Sequence, residues 1–210
     1  MIIIFDIEGV LIDAEFFPEL GKILKIEDEI ADITFKGIRG EIDWTEGLIK
    51  RLEKIKKTPY EMCLQVCNNL PYMRGAKEVC RKLKESGWTI VAVSGGPTML
   101  SDRVAKELDL DYVFGNELIF INGRLQTMDI KVGADKSAAV RSLINGIGEK
   151  KENMVAVIDG ANDIKLLNLV SVSIAFNSSK YVEEQTDYVI KEKNLNLILP
   201  ILERMSNKLI

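Results

Sequence analysis

The chain has 210 residues, 47% of them apolar, enough to bury a full core as one domain or a domain with a small insertion. Its 32 acidic and 28 basic side chains leave a net charge of −4, which argues against nucleic-acid or polybasic membrane partners. No apolar run approaches the roughly 20 residues that span a bilayer, and Met1–Phe5 carries no basic leader, so no membrane segment and a cytoplasmic location are expected.

The sequence contains no histidine. That removes Ser-His-Asp hydrolysis, Cys-His proteolysis, HExxH metalloproteases and phosphohistidine chemistry together. Catalysis here has to run on carboxylates, lysine, hydroxyls and a hard cation.

In chain order, residues 2–7 form a short apolar run holding Asp6, consistent with a buried parallel strand. Residues 13–72 then break the strand–helix alternation. They are rich in helix formers and charges, punctuated by Pro18, Pro59 and Pro71, and predict several short helices inserted after the first strand, with Pro71 marking the return. The expected division is a helical cap at 13–72 and a core built from 1–12 and 73–210. Within the cap, Cys63 and Cys67 share a helical face, but zinc normally takes about four Cys or His ligands. With Cys80 they read as small buried hydrophobes.

A helix is predicted over 75–87, a strand over 89–93 closing on Ser94-Gly95-Gly96, and a helix over 98–108. Asn122-Gly123 between apolar residues predicts a small hairpin at 120–125. Further helices are expected at 135–147, 161–168 and 195–208. Strands are expected at 155–158, closing on Asp159-Gly160, at 172–176 and at 188–190. This alternation predicts an α/β fold: an open Rossmann-like parallel sheet with helices on both faces, plus the small helical cap.

Ligands bind beyond the carboxyl ends of such strands. Those ends carry Asp6 and Glu8, Ser94 to Gly96, and Asp159 with Asn162 and Asp163. Like charges about 4 Å apart repel by about 4 kcal/mol at an effective dielectric near 20, so converging carboxylates call for compensation. Mg²⁺ fits oxygen ligands and keeps positions for water and phosphate. Lys136 is the candidate fixed positive charge, and Ser94-Gly95-Gly96 offers a hydroxyl and N–H groups to a tetrahedral phosphate.

These residues resemble a known family. Phe5-Asp6-Ile7-Glu8-Gly9-Val10-Leu11, Val93-Ser94-Gly95-Gly96, Lys136 and Asp159-Gly160-Ala161-Asn162-Asp163 resemble, in order, the four motifs of the haloacid dehalogenase-like phosphatases. Leu110 to Asn116, and Gly40 to Leu48 followed by Arg51, resemble its phosphoserine phosphatase branch, over most of the chain. That branch usually has Asp two residues after the nucleophile, then a hydroxyl residue; here the positions hold Glu8 and Gly9. A glutamate there also occurs in a related branch that transfers phosphate from phosphoserine to homoserine.

The resemblance implies that Asp6 is a nucleophile forming an aspartyl-phosphate and Glu8 the general acid and base. It implies Mg²⁺ held by Asp6, the main-chain carbonyl of Glu8 and Asp159, with Asp163 orienting metal-bound water or Lys136. Ser94, Gly95 and Lys136 would bind phosphate. Glu15, Arg51, Asn162, Ile38 and Trp44 would bind the substrate, Arg51 clamping a carboxylate. The implied reaction is hydrolysis of O-phosphoserine to L-serine and phosphate, with a small phosphomonoester as partner. Transfer to homoserine, another small phosphomonoester substrate and a non-catalytic phospho-ligand scaffold stay open. Nothing in the sequence sets an oligomeric state.

Overall fold

The computed structural model describes residues 1–206. Seven strands form one sheet: β1 (Ile2–Asp6), β2 (Thr89–Pro97), β3 (Tyr112–Ile121), β4 (Arg124–Asp129), β5 (Met154–Ile158), β6 (Val172–Phe176) and β7 (Tyr188–Ile190). Their order is β4-β3-β2-β1-β5-β6-β7, parallel except for the β3–β4 hairpin. β1 lies at the centre, where the strand order reverses. All five of its residues are buried, as are those of β5, which is why both read as near-continuous β-branched runs.

Side-chain alternation splits the core into two layers. Ile3 and Phe5 face one way with Ile90, Val157 and Phe176, and pack on α5 (Ala76–Glu85) and α6 (Thr98–Leu108). Ile2 and Ile4 face the other way with Val91, Ala156 and Ile158, and pack on α7 (Lys136–Ile147). Asp135 opens α7 by accepting a hydrogen bond from the Ser137 N–H at 3.1 Å. That cap fixes where Lys136 begins the helix.

Between β1 and α5 lie α1 (Phe16–Leu24), α2 (Glu27–Ile38), α3 (Trp44–Ile55) and α4 (Tyr60–Asn69). The chain leaves and returns side by side: the Asp13 N–H donates to Pro71 O and the Met73 N–H to Leu11 O, both at 2.9 Å. The α3–α4 connection lies along the hairpin edge, where Lys57 N–H donates to Leu125 O and Leu125 N–H to Thr58 O. The β4 edge is thereby covered rather than left open to another strand.

Three expectations need correction. The hairpin is the outer end of a longer strand, since β3 starts at Tyr112 and joins the main sheet beside β2. Gly115-Asn116-Glu117 interrupts its apolar run and hid it. Residues 161–169 form a 3-10 helix, with Asp163 N–H donating to Gly160 O at 3.2 Å. Nine residues are too few for apolar spacing to separate a period of about 3.0 from 3.6. The last helix is a 3-10 turn at Leu195–Ile198 followed by an α-helix at Leu199–Ser206, and positions 207–208 lie outside the described residues. Among the described residues, no helix is long and apolar enough to cross a membrane.

The three thiols are free and buried, and burial pushes Cys63 up to about 11 and Cys80 up to about 12. They sit in the core as small apolar groups.

Candidate active site

The carboxyl ends of β1, β2 and β5 are adjacent because β1 pairs with both of the others. Asp6 ends β1, Ser94 to Gly96 lie near the end of β2, and Asp159 follows β5. Lys136 arrives from the start of α7, and Asp163 from the 3-10 helix. One cavity is lined by Asp6, Glu8, Ser94, Gly95, Lys136, Asp159 and Asn162 from this edge. Glu15, Ile38, Trp44 and Arg51 line it from the other side. Of the residues the sequence singles out, only Asp163 is not in the lining. It sits directly behind, fully buried.

Lys136 is 2% exposed, with its ammonium 2.7 Å from Asp6 Oδ2 and 2.6 Å from Asp163 Oδ1. Burial alone would lower its pKa, but the Asp163 and Asp6 carboxylates outweigh that and hold it well above the usual lysine value. Asp6 Oδ1 also accepts from the Ile7 N–H at 2.7 Å. The Glu8 side chain bridges two elements: Oε1 accepts from the Phe16 N–H at 2.7 Å and Oε2 from the Ser94 hydroxyl at 3.0 Å. Phe16 is the first residue of α1, so this carboxylate meets the positive end of that helix.

Gly9 follows with φ of +81°, and a Cβ there would come within 1.9 Å of Asp159 Oδ2. A serine or threonine at position 9 would therefore be strained and would crowd the Asp159 carboxylate, which accounts for the glycine in this chain.

The carboxylates are under-compensated. Ligand oxygens of Asp6, Asp159 and Asp163 lie within 4.8 Å of one another. Burial, then Asp6, Glu15 and Asp163, push Asp159 well above the usual carboxylate range against the pull of Lys136. Burial and Asp6 raise Asp163 to about 7. Glu15 is raised by burial, Glu8 and Asp6, with Arg51 and Lys136 opposing. Lysine and arginine together do not balance these acids, and the all-oxygen donor set fits a hard divalent cation.

On the side of the inserted helices Arg51 is 8% exposed. Its Nε donates to Gly47 O at 3.2 Å, its Nη1 to Thr34 Oγ1 at 3.4 Å, and its guanidinium lies 4.6 Å from the Phe17 ring centroid. Burial lowers its pKa, partly offset by Glu15 and Glu8. Trp44 packs on Gly95, where a Cβ would come within 2.4 Å of the indole, so only glycine lets α3 approach this closely.

Sequence reasoning missed Phe17 and Thr34, which line the cavity, and gave Asn116 no role.

Residues 1–170 match the haloacid dehalogenase-like hydrolase family. The chain is 37% identical over 206 residues to a phosphoserine phosphatase of Archaeoglobus fulgidus, covering 96% of this chain but 60% of that longer protein. It is 32% identical to a phosphoserine phosphatase of Lactococcus lactis, covering 99% of this chain and 97% of that one. A solved phospho-aspartyl intermediate analogue of phosphoserine phosphatase superposes with a TM-score of 0.92 at 28% identity, over 95% of this chain and 97% of that one.

Proposed function

The chain belongs to the haloacid dehalogenase-like hydrolase family, and from that premise we propose that it hydrolyses O-phospho-L-serine to L-serine and phosphate. The observation that carries the reading is one cavity with a nucleophile-and-lysine end and an ammonium-and-carboxylate-binding end, Asp6 with Lys136 facing Glu15 with Arg51. Relatives named for this activity match along the whole chain.

Asp6 attacks phosphorus in line with the seryl oxygen, forming an aspartyl-phosphate as the P–O bond to serine breaks. Glu8 hands its proton to the departing alkoxide, then takes one from the water that attacks the intermediate and releases phosphate. Ser94, the Gly95 N–H and Lys136 hold the equatorial phosphate oxygens, where charge builds in the transition state. Lys136 also holds the Asp6 carboxylate in place through its 2.7 Å contact.

Glu15 pairs with the substrate ammonium and Arg51 with its carboxylate, while Ile38 and Trp44 close the apolar side and Asn162 reaches substrate or phosphate. The helices at 13–72 act as a cap that excludes water. Asp6, the Glu8 carbonyl and Asp159 would hold Mg²⁺, with Asp163 behind them. When bound, the ion neutralises phosphate charge and orients its oxygens.

The test is phosphate release from phosphoserine with Mg²⁺ by the full chain, and its loss in Asp6→Asn by at least about 10⁴-fold. Preference for a sugar phosphate or phosphoglycolate overturns the substrate. Diversion of phosphate from water to added homoserine overturns hydrolysis as the main outcome.

A further inference from the structure

Asn116 is fully buried in β3, and its side chain touches neither cavity nor solvent. Its amide makes four hydrogen bonds. Nδ2 donates to Gly95 O and Val132 O, both at 2.9 Å, and Oδ1 accepts from the N–H groups of Lys131 at 2.8 Å and Val132 at 2.7 Å. All the hydrogen-bonding capacity of an asparagine side chain that a strand can direct is thus spent on two backbone segments.

Those two segments are the ones that carry the phosphate-binding groups. β2 and β3 pair regularly from Val91 to Val93, lose register, and meet again only at Pro97 opposite Asn116. In that gap β2 leaves the ladder at Ser94-Gly95-Gly96, and the Asn116 amide takes over as partner of the Gly95 carbonyl. The second segment, Lys131-Val132, is anchored by buried Val132 and runs four residues on to Lys136.

A trans peptide is planar, with its C=O and N–H pointing in opposite directions. Holding Gly95 O on Asn116 therefore aims the N–H of Gly96 the other way, where it donates to Ser94 Oγ at 2.8 Å. Gly95, Gly96 and Ser94 all line the cavity. A flipped Gly95-Gly96 peptide would take that donor away from the Ser94 hydroxyl, one of the phosphate-binding groups.

We propose that Asn116 is a positioning residue for phosphoryl transfer: one buried amide sets the Gly95-Gly96 peptide plane and the spacing between that loop and Lys136. It touches no substrate. The inference rests on the phosphomonoesterase reading for its consequence in turnover, but its effect on phosphate binding stands apart from that reading.

Asn116→Asp is nearly isosteric and keeps the acceptor for Lys131 and Val132, but sets an acceptor oxygen against the carbonyls of Gly95 and Val132. Binding of inorganic phosphate and of serine, each with Mg²⁺, is measured separately by titration calorimetry on wild type and variant. Phosphate affinity should fall by about tenfold or more while serine affinity stays within about twofold. With phosphoserine as substrate, kcat should drop roughly 100-fold, the scale for disturbing one preorganised donor.

A merely structural role would weaken both ligands alike. Equal loss for both, unchanged phosphate affinity, or a wild type that binds no phosphate overturns the proposal. If wild type binds phosphate but turns over no phosphoserine, the substrate reading fails and this one is judged on binding alone. Should Asn116→Asp not fold, amide NMR on wild type decides. Phosphate must then shift the Gly95 N–H resonance while the Asn116 side-chain amide stays protected from exchange, and an unmoved Gly95 overturns the proposal.

Discussion

The two ends of the cavity are held by different kinds of contact. At the sheet end, Lys136 sits 2.6–2.7 Å from two carboxylates, and Asp6 is tied to its own strand by the Ile7 N–H. At the cap end, Arg51 has contacts at 3.2 and 3.4 Å and a ring beneath it, and the Glu15 carboxylate makes no hydrogen bond or ion pair among the described residues. The sheet end is organised without a ligand, and on the proposed reading the charges of phosphoserine would complete the cap end. Substitutions at the first should act on kcat and stability, and those at the second on KM.

The largest effect expected from breaking this contrast is at Lys136. Lys136→Met leaves Asp6 and Asp163 buried without their cation, a change worth about 3–5 kcal/mol against the fold. Turnover should fall by about 10³-fold with KM little changed. Steady-state kinetics and chemical denaturation of the metal-free protein measure both. A loss confined to KM would erase the distinction between the ends. Arg51→Lys should do the reverse. Replacing the fork with a single ammonium loses one charge-assisted hydrogen bond, raising KM about 10- to 100-fold with kcat within about tenfold.

The sheet end was legible in the sequence for a physical reason. Asp6, Ser94 and Asp159 are polar residues that end apolar β-branched runs, and parallel strands place such ends side by side. Glu15 and Arg51 lie in helical segments where a charge ordinarily means a wet surface, so only the family resemblance singled them out. Asn116 and Thr34 were invisible because their partners are backbone or side-chain atoms far along the chain: Gly95 and Val132 for Asn116, Arg51 for Thr34. β3 was hidden for a related reason, since Gly115-Asn116 interrupts the apolar run at the point where the fold uses Asn116.

A smaller effect is expected on melting. In the metal-free protein Asp163, Asp159 and Glu15 have folded pKa values above their unfolded ones. Their contribution to stability is complete below about pH 4 and is lost as pH rises through the folded value, about 7 for Asp163. Tm without metal should therefore decline between pH 5 and 8. Mg²⁺ at 100 times its Kd should restore about 2.7 kcal/mol, or roughly 5–10 °C, most strongly at the higher pH. A metal-free Tm that rises over this range would mean the sheet end is already charge-compensated.

The smallest effect lies within the cap, which is itself not held uniformly. α4 is pinned to the core, because Arg103 of α6 donates to Cys67 O at 2.7 Å and to Leu70 O at 2.9 Å. Among the described residues the α2–α3 pair has no side-chain hydrogen bond to the core. It carries Trp44 over Gly95, and the two helices are joined by the Arg51–Thr34 hydrogen bond at 3.4 Å and by the exposed Lys54–Glu29 ion pair, the latter of little worth in water. Local opening draws on the least-held contacts first. In amide hydrogen exchange, α2 and α3 should therefore exchange about tenfold or more faster than α4. Mg²⁺ with phosphate should slow α2–α3 and leave α4 unchanged. Equal protection of all four helices would mean that the cap moves only as one body, and that the difference between the two ends of the cavity is a difference in ligand contacts alone.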